Sequence, residues 1–286
     1  MSNHVGPNYL RVFWTLVRNS LVRDMTFRSN FLIECLSSFS WVLMNLGFYL
    51  LIFAYTQEIG RGSGWGKYEF FVFLATTMFI NSVVQAFFMP NAQEFSELIR
   101  SGSLDFALLK PIDTQFLVSL KQVDWSALAN FVVGLGLLGY SLFRLTTRPE
   151  DPLRLTPMMP VWYVFYLGCG VAIMYSLMIS LAATSIWLGR NQTLYNFWFY
   201  ITNFSRYPME IYSGTYGEPL RFLFTFLIPV LVVVNVPARI MALPLRWQDG
   251  MAHLLPAFAV VATVVSLVGS RWVFQRALGS YRSASS

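Results

Sequence analysis

The sequence predicts an all-α membrane protein with six transmembrane helices. Of its 286 residues, 56% are hydrophobic and only 12% are charged, whereas soluble domains average about 25% charged residues. In lipid, only helices and closed barrels satisfy every backbone polar group. The long apolar runs lack the alternation of apolar and polar residues that barrel strands require, so the spanning elements are predicted to be helices.

Residues 1–30 predict an interfacial helix that lies on the membrane surface ahead of the first span. They lack the apolar core and the small-residue cleavage site of a signal peptide. One side of the helix is apolar and the other is polar, as expected at a membrane interface. The apolar side carries Leu10, Phe13, Trp14, Val17 and Leu21. A plain cytosolic tail is the alternative interpretation.

Five uninterrupted apolar runs approach or exceed the roughly 20 residues that a helix needs to cross the hydrocarbon layer. They cover residues 31–55, 70–88, 125–142, 160–188 and 254–274. The sixth crossing falls between the last two runs, where the pattern leaves two interpretations open. Residues 193–204 are apolar but few, and residues 222–236 are apolar but interrupted by Pro229.

The distribution of basic residues predicts a cytoplasmic N-terminus. Four arginines precede the first span, whereas only Arg61 and Lys67 follow it, and basic residues favour the inner side. Six crossings then place the C-terminus in the cytoplasm as well. The net charge of +6 fits contact with anionic lipid headgroups. The arginines are scattered among the loops, a pattern that does not indicate nucleic-acid binding.

Signatures of enzymes, metal sites and cofactors are missing from the sequence. Cys35 and Cys169 lie in apolar runs, and no spacing of Cys, His, Asp and Glu suits a metal ion. The stretch Gly62–Lys67 resembles a phosphate-binding loop, but Arg61 stands in place of its first glycine and Tyr68 in place of the magnesium-binding Ser or Thr. The sequence therefore predicts a chain that is not an enzyme and needs no cofactor.

Glu34 is the one acidic residue predicted to lie inside a span, about one turn from its cytoplasmic end. Transporters driven by ion gradients usually carry ionisable groups deep in the membrane, so their near absence argues against a secondary transporter. Two interpretations remain for Glu34. It forms an ion pair with Arg100 or Lys110, or its carboxylate extends to the lipid headgroups.

Residues 91–124 form a charged and apolar segment, the docking segment, between the second and third predicted spans. Pro90 ends the second span, residues 91–100 predict a short helix, and Gly102 permits a turn that other residues resist. An apolar surface follows, made by Leu104, Phe106, Leu108 and Leu109 and bounded by Pro111. The pattern predicts an element that binds a soluble partner. An ordinary solvated loop between the spans is the alternative.

The docking segment and its surroundings resemble a known family. An interfacial helix, two spans, a charged cytoplasmic element and four more spans are similar to the permease subunits of the ABC type-2 exporter superfamily. The resemblance is strongest to an uncharacterised bacterial six-helix branch, which residues 204–208 and 228–237 also resemble. The matching residues of the cytoplasmic element are Glu97, Arg100, Gly102, Leu104, Asp105, Leu108, Leu109, Lys110 and Pro111.

The resemblance implies a single permease domain over residues 1–286 in the bacterial cytoplasmic (inner) membrane. In such permeases the element between spans two and three is a coupling helix, which sits in a cleft of a separate ATP-binding subunit. Two permease halves, identical or paralogous, and two ATP-binding subunits make one exporter, so ATP hydrolysis is expected on the partner. The residues implied in coupling are Glu94, Glu97, Arg100, Gly102, Leu104, Asp105, Leu108, Lys110 and Pro111.

The resemblance also implies a short fifth span followed by re-entrant helices on the outer side, over residues 205–240. That arrangement places Arg206, Glu210 and Glu218 outside the cell. Hydropathy alone instead makes residues 222–236 the fifth span and leaves the preceding loop inside. Either interpretation keeps six crossings.

The predicted function is that of a half-transporter permease. With a second half, it forms a path for an amphipathic or polymeric substrate. A lipid, a glycan or a hydrophobic small molecule suits the superfamily that the chain resembles. The aromatic residues within 195–200 either line that path or serve in packing and as interface anchors. Two rival functions stay open, a non-transporting membrane anchor or assembly factor and a secondary transporter.

Overall fold

The computed structural model describes residues 8–60, 62–149, 151–188, 199–243 and 254–281. Within these ranges every regular element is helical, and one isolated β-bridge joins Glu58 to Gly66. The helices are α1 Tyr9–Thr26, α2 Arg28–Tyr55, α3 Lys67–Phe87, α4 Met89–Arg100, α5 Ser103–Leu108, α6 Thr114–Ser119, α7 Ala129–Thr146, α8 Met158–Ala183, α9 Ser185–Leu188, α10 Gly217–Phe222, α11 Val230–Ala242 and α12 Leu254–Ser280.

Five helical segments are long and apolar enough to span a bilayer, and they coincide with the five predicted runs. They are Arg28–Tyr55, Lys67–Arg100, Ser126–Thr146, Met158–Leu188 and Leu254–Ser280. The all-α membrane fold is therefore confirmed. One boundary differs, because Pro90 does not stop the second segment. Only Phe88 separates α3 from α4, and Pro90 lies in the first turn of α4, where a missing N–H costs nothing.

Helix α3 forms the centre of the bundle. In its most apolar stretch 72% of the residues are buried, against 6% in α2. Phe70, Phe73 and Ile80 are almost completely buried there, with α7, α8 and α11 packed around them. Helix α2 has the opposite character, since Tyr49 is its one buried residue. Its apolar side chains are exposed on the outside of the bundle, as expected for a helix surrounded by lipid.

The ends of α3 define two faces of the bundle. The docking face carries residues 89–125, and the distal face carries residues 56–60 and 62–66. Two later helices also reach the docking face, because Gln115 donates a hydrogen bond to the Tyr175 hydroxyl of α8 at 3.0 Å and Asp113 forms an ion pair with Arg271 of α12.

A sharply bent helix pair lies between α8 and α12. Helix α10 and the π-helical turn Leu223–Leu227 meet α11 at 87°, and Pro229 at the corner lacks the N–H that would continue the helix. Both ends of the pair lie at the distal face. Just before α10, Glu210 accepts a hydrogen bond from the Trp65 indole at 2.8 Å, and Arg239 near the end of α11 pairs with the same carboxylate.

The alternative short span, residues 193–204, lies largely outside the described residues, as does most of the aromatic stretch 195–200. Of that stretch, Phe199 and Tyr200 are described, and both side chains are exposed. The chain that follows reaches the distal face, where the Tyr212 hydroxyl donates a hydrogen bond to the Phe204 carbonyl at 3.1 Å.

Gly170 allows a close approach between α8 and α11. A Cβ at this position would lie 2.8 Å from the Val233 carbonyl oxygen, whereas nothing lies within 4 Å of a Cβ at Gly168 on the same helix. Gly170→Val is therefore expected to force the two helices apart, which costs about 1 to 3 kcal/mol and lowers the Tm by roughly 3 to 10 °C.

Thermal unfolding of the purified protein measures the effect, with Gly168→Val as the matched control. Both changes place the same β-branched residue in α8, so they share the change in helix propensity. Equal melting temperatures for the two variants would contradict the close packing of α8 on α11.

Candidate functional site

The docking segment folds as three short helices joined by two turns. Gly102 links α4 to α5 with φ 71°, in the left-handed region that glycine adopts without a Cβ penalty, as the sequence predicts. Asp113 then caps α6, because its Oδ1 accepts a hydrogen bond from the Phe116 N–H at 2.9 Å. These two turns fold the segment back against the bundle.

One side of the docking segment belongs to the protein core. Phe95 of α4 and Leu104 of α5 are fully buried, and the Phe95 ring packs against Phe274 of α12 with centroids 5.8 Å apart. Leu104 thus does not lie on the surface where the sequence placed it. Glu94 is likewise engaged within the segment, because it accepts hydrogen bonds from Lys121, at 2.7 Å, and from Gln122.

The other side of the docking segment is open to solvent. Phe106 and Leu109 are 72% and 80% exposed, which is unusual for large apolar side chains on a water-facing element. Beside them Arg100 donates two hydrogen bonds of 3.0 Å to Glu97. We call this side the docking surface, and it consists of Glu97, Arg100, Phe106, Leu108, Leu109, Lys110 and Pro111.

Asp105 lies between the two sides of the docking segment. Burial, and after it the neighbouring Asp105 carboxylate, raises the pKa of the Tyr281 hydroxyl. Asp105 therefore lies near Tyr281, the residue just after α12. The buried side of the docking segment and Asp105 together connect α5 to α12.

An ion pair fixes α6 to α12. Arg271 donates one hydrogen bond to Asp113 Oδ1 and one to Gln115 Oε1, both at 3.0 Å, and its second terminal nitrogen donates to Asp113 Oδ2. Gln115 continues the network to Tyr175 of α8. The Arg271 guanidinium holds the pKa of Asp113 below its ordinary value, so the pair stays charged at neutral pH.

This pair was not among the predicted site residues, although the sequence carries a signal for it. Arg271 is the one charged residue in the apolar run 254–274, and a charge within a membrane helix needs a polar partner. Its partner Asp113 lies 158 positions away. Spacing along the chain therefore gives no indication of the pairing.

Helix α1 covers the remaining flank of the docking segment. Arg23 donates a hydrogen bond to Gln122 at 2.8 Å, and the Val123 N–H donates to the Ser20 hydroxyl at 3.1 Å. Tyr9 meets the Phe116 ring edge-on at 5.1 Å between centroids. The N-terminal helix thus rests on the docking segment, with apolar residues such as Leu10 and Trp14 exposed on its other side.

Glu34 does not reach the docking segment. It accepts a hydrogen bond of 2.7 Å from Asn30, one turn earlier on α2, and among the described residues no ion pair joins it to Arg100 or Lys110. Arg100 is instead paired with Glu97 on its own helix. The Glu34 carboxylate is thus engaged within its own helix in this structure, and its pairing with the docking segment stays a prediction.

Comparison with known proteins identifies the family. The model of a family described as ABC-2 family transporter protein matches residues 39–285. The chain belongs to this family. The match includes the whole docking segment and all but the first part of α2. No curated protein and no solved structure matches the chain.

Family membership makes the chain a multi-pass membrane protein and a permease component of an ABC transporter. It also implies association with an ABC ATP-binding subunit and with the membrane. The family indicates a transporter subunit rather than an enzyme.

The Asp113–Arg271 pair is expected to stabilise the docking face. Asp113→Asn and Arg271→Gln should each lower the free energy of unfolding by about 1 to 2 kcal/mol, and the double variant by less than the sum. Because the pKa of Asp113 is lowered in the folded protein, the stabilisation is complete above the ordinary value near 3.9 and is lost only as the pH falls through the lower, folded value.

Thermal unfolding between pH 8 and pH 5 should then show a constant difference between the wild type and Asp113→Asn. Arg276→Gln is the control, since Arg276 lies exposed on the same helix. Strictly additive losses in the double variant, or a difference that disappears by pH 5, would contradict the ion pair.

Proposed function

We propose that the chain is one membrane-spanning half of an ATP-driven exporter, with ATP hydrolysis on a separate subunit. The observation that carries the proposal is the docking surface. It presents Phe106 and Leu109 to solvent on helices whose other side is fixed in the core. An exposed apolar patch with a charged border is typical of a protein-protein contact, and the ATP-binding subunit that the family implies is its partner.

The buried side of the docking segment provides a route by which a shift of the segment is transmitted to the membrane helices. The contacts Phe95–Phe274 and Asp113–Arg271 attach the segment to α12. Helix α12 continues to the distal face, where Phe258 meets Phe226 of the bent pair at 5.1 Å between ring centroids. A shift imposed on the docking surface when ATP closes the partner would therefore move α12 and reach the bent pair.

We further propose that residues 205–240 re-enter the membrane from the distal face, which is the outer face, and that both termini are cytoplasmic in the bacterial inner membrane. The shared distal location of Glu210 and Arg239 supports this arrangement. The four arginines before the first span support the orientation. A second permease half, identical or paralogous, completes the path, and the exposed apolar length of α2 is available to contact it.

The docking surface is tested by replacing its two most exposed apolar residues. Phe106→Ser with Leu109→Ser should weaken binding of the ATP-binding subunit roughly tenfold or more, because each buried side chain contributes about 2 kcal/mol. The tagged chain is purified from native membranes, and photoreactive azido-ATP marks the ATP-binding polypeptide that accompanies it.

Leu155→Ser with Tyr216→Ser serves as the control, because these residues are also large and exposed but lie outside the docking segment. The proposal requires the labelled polypeptide to be lost only from the docking-surface variant. If the docking-surface variant recovers as much labelled polypeptide as the wild type, the proposed docking role of this segment is wrong.

Orientation is tested with Ser213→Cys, an exposed position next to Gly214 before α10, in a background with Cys35→Ala and Cys169→Ala. In cells whose outer barrier alone is opened, a membrane-impermeant thiol reagent should label Ser213→Cys. Ser101→Cys, exposed between α4 and α5, should react only after the inner membrane is opened. The reverse pattern would invert the proposed orientation, and labelling of both only after opening would place residues 205–216 on the cytoplasmic side.

A further inference from the structure

Helix α1 lies along the docking face rather than parallel to the membrane spans. At its start, the Tyr9 hydroxyl accepts a hydrogen bond from the Asp113 N–H at 3.4 Å. Near its end, the Asp24 carboxylate accepts one from the Trp125 N–H, also at 3.4 Å. Asp113 and Trp125 both belong to the docking face. The two ends of a helix about 27 Å long therefore rest on the same face of the bundle.

The structure divides the predicted apolar side of α1 into two parts. One part faces the protein, since Val17 is buried and the Phe13 ring stacks on Phe87 with centroids 6.3 Å apart. The other part is exposed, with Leu10 at 73% and Trp14 at 65%. We call this second part the α1 strip, and it consists of Leu10, Trp14, Leu21, Val22 and Met25. An exposed apolar surface of this length on a helix already fixed to the protein indicates a binding surface.

Two arginines border the α1 strip. Arg11 and Arg18 are both exposed and lie seven residues apart, which places them on the same side of the helix and about 10 Å apart along its axis. In the described part of the chain, neither side chain forms an ion pair or a hydrogen bond. Arg23, which faces the docking segment, is by contrast bonded to Gln122 at 2.8 Å. The strip thus combines apolar side chains with two cations that are available to an anionic partner.

The α1 strip is continuous with the exposed apolar surface of α2. Only Phe27 separates the two helices, and this residue is 67% exposed. Leu32 and Leu36 continue the exposed surface into the first span. A soluble protein on the strip would meet the membrane at this junction, whereas a lipid layer covers both helices without a break. Tryptophan beside arginine is also typical of helices at the headgroup level.

We propose that the α1 strip binds anionic phospholipids of the adjoining leaflet and that the bound lipid holds the docking segment in place. Arg11 and Arg18 neutralise the headgroup charge, while the apolar side chains enter the boundary of the acyl chains. The effect reaches the docking segment through the Ser20 hydroxyl, which accepts a hydrogen bond from the Val123 N–H at 3.1 Å. The regulatory part of this inference rests on the proposed function of the docking segment, but lipid binding itself does not.

Lipid binding is measured on the full chain in phosphatidylcholine nanodiscs. The photoreactive residue p-benzoylphenylalanine replaces Val22, which lies one turn after Arg18 and is 60% exposed. Each preparation contains a trace of radiolabelled phosphatidylglycerol or of radiolabelled phosphatidylcholine, and the label crosslinked to the chain is counted after irradiation. Phosphatidylglycerol should be captured about tenfold more efficiently, because each arginine close to an anionic headgroup strengthens the attraction about fivefold.

Two pairs of arginine substitutions separate headgroup recognition from overall charge. Arg11→Gln with Arg18→Gln should remove most of the preference for phosphatidylglycerol, whereas capture of phosphatidylcholine should persist because the apolar strip is intact. Arg154→Gln with Arg206→Gln is the matched control. These two residues are also exposed but lie outside the docking face, so the control removes the same net charge and should keep the preference.

Hydrogen exchange tests the effect on the docking segment. The Val123 amide should exchange more slowly in nanodiscs rich in phosphatidylglycerol than in pure phosphatidylcholine. Ser20→Ala should capture phosphatidylglycerol like the wild type but lose this slowing, because the hydroxyl that accepts the Val123 N–H is gone. Thr15→Ala is the control, since it removes an exposed hydroxyl from the same helix and should retain the slowing.

Four results would overturn the proposal. Capture of neither lipid would show that the α1 strip does not lie on the membrane, and equal capture of both would show apolar insertion without headgroup recognition. Equal loss of the preference in both arginine pairs would reduce the effect to net charge. Exchange at Val123 that ignores the lipid would remove the link to the docking segment. No ATP-binding subunit is present in these assays, so none of these outcomes contradicts the proposed docking surface.

Discussion

A helix bundle in lipid depends on pairing the few charged side chains that lie near its core, because hydrocarbon offers them no partners. In this protein the pairs lie near the two ends of the bundle. Asp113 and Arg271 join α6 to α12 at the docking face. Glu69 with Arg148 and Glu210 with Arg239 join distant segments at the distal face. The central part of the bundle is left to apolar packing around α3.

The separation of roles within the docking segment follows from this arrangement. The proposed coupling role requires one side of the segment to be fixed to the membrane helices and the other side to be free to bind. Phe95 and Leu104 provide the fixed side and Phe106 and Leu109 the free side. The left-handed turn at Gly102 lets both sides form within a few residues. Helix α1 rests on the flank and further restricts the position of the segment.

The distal face differs from the docking face, because it contains a polar cavity. Among the described residues, α3, the α7–α8 connection, the turn at Glu210 and the bent pair bring four acids and four arginines to one cavity. Within the described part of the chain, Glu69, Thr225 and Arg239 each keep one buried polar atom without a hydrogen-bond partner. The docking face thus presents exposed apolar side chains, whereas the distal face encloses a cavity lined by charged side chains.

Hydropathy predicted the five long spans because a membrane helix is recognised from length and composition alone. The same local signals indicated the turn at Gly102 and the break at Pro229, since glycine and proline act on their own backbone. The sixth crossing was left open, and much of residues 193–204 lies outside the described ranges. Among the coupling residues, Glu97, Arg100, Leu108, Lys110 and Pro111 are exposed as the sequence suggested, but Leu104 is in the core.

The sequence by itself determined that this protein is a bundle of membrane helices with one charged and apolar segment between the second and third spans. Those properties are local, because they depend on the length and periodicity of continuous runs. Only the tertiary structure decided which side of that segment is buried, that Asp113 meets Arg271, and that Glu69, Thr225 and Arg239 line one cavity. Asp113 and Arg271 are 158 positions apart, and so distant a pair leaves no spacing in the sequence from which the partners can be recognised.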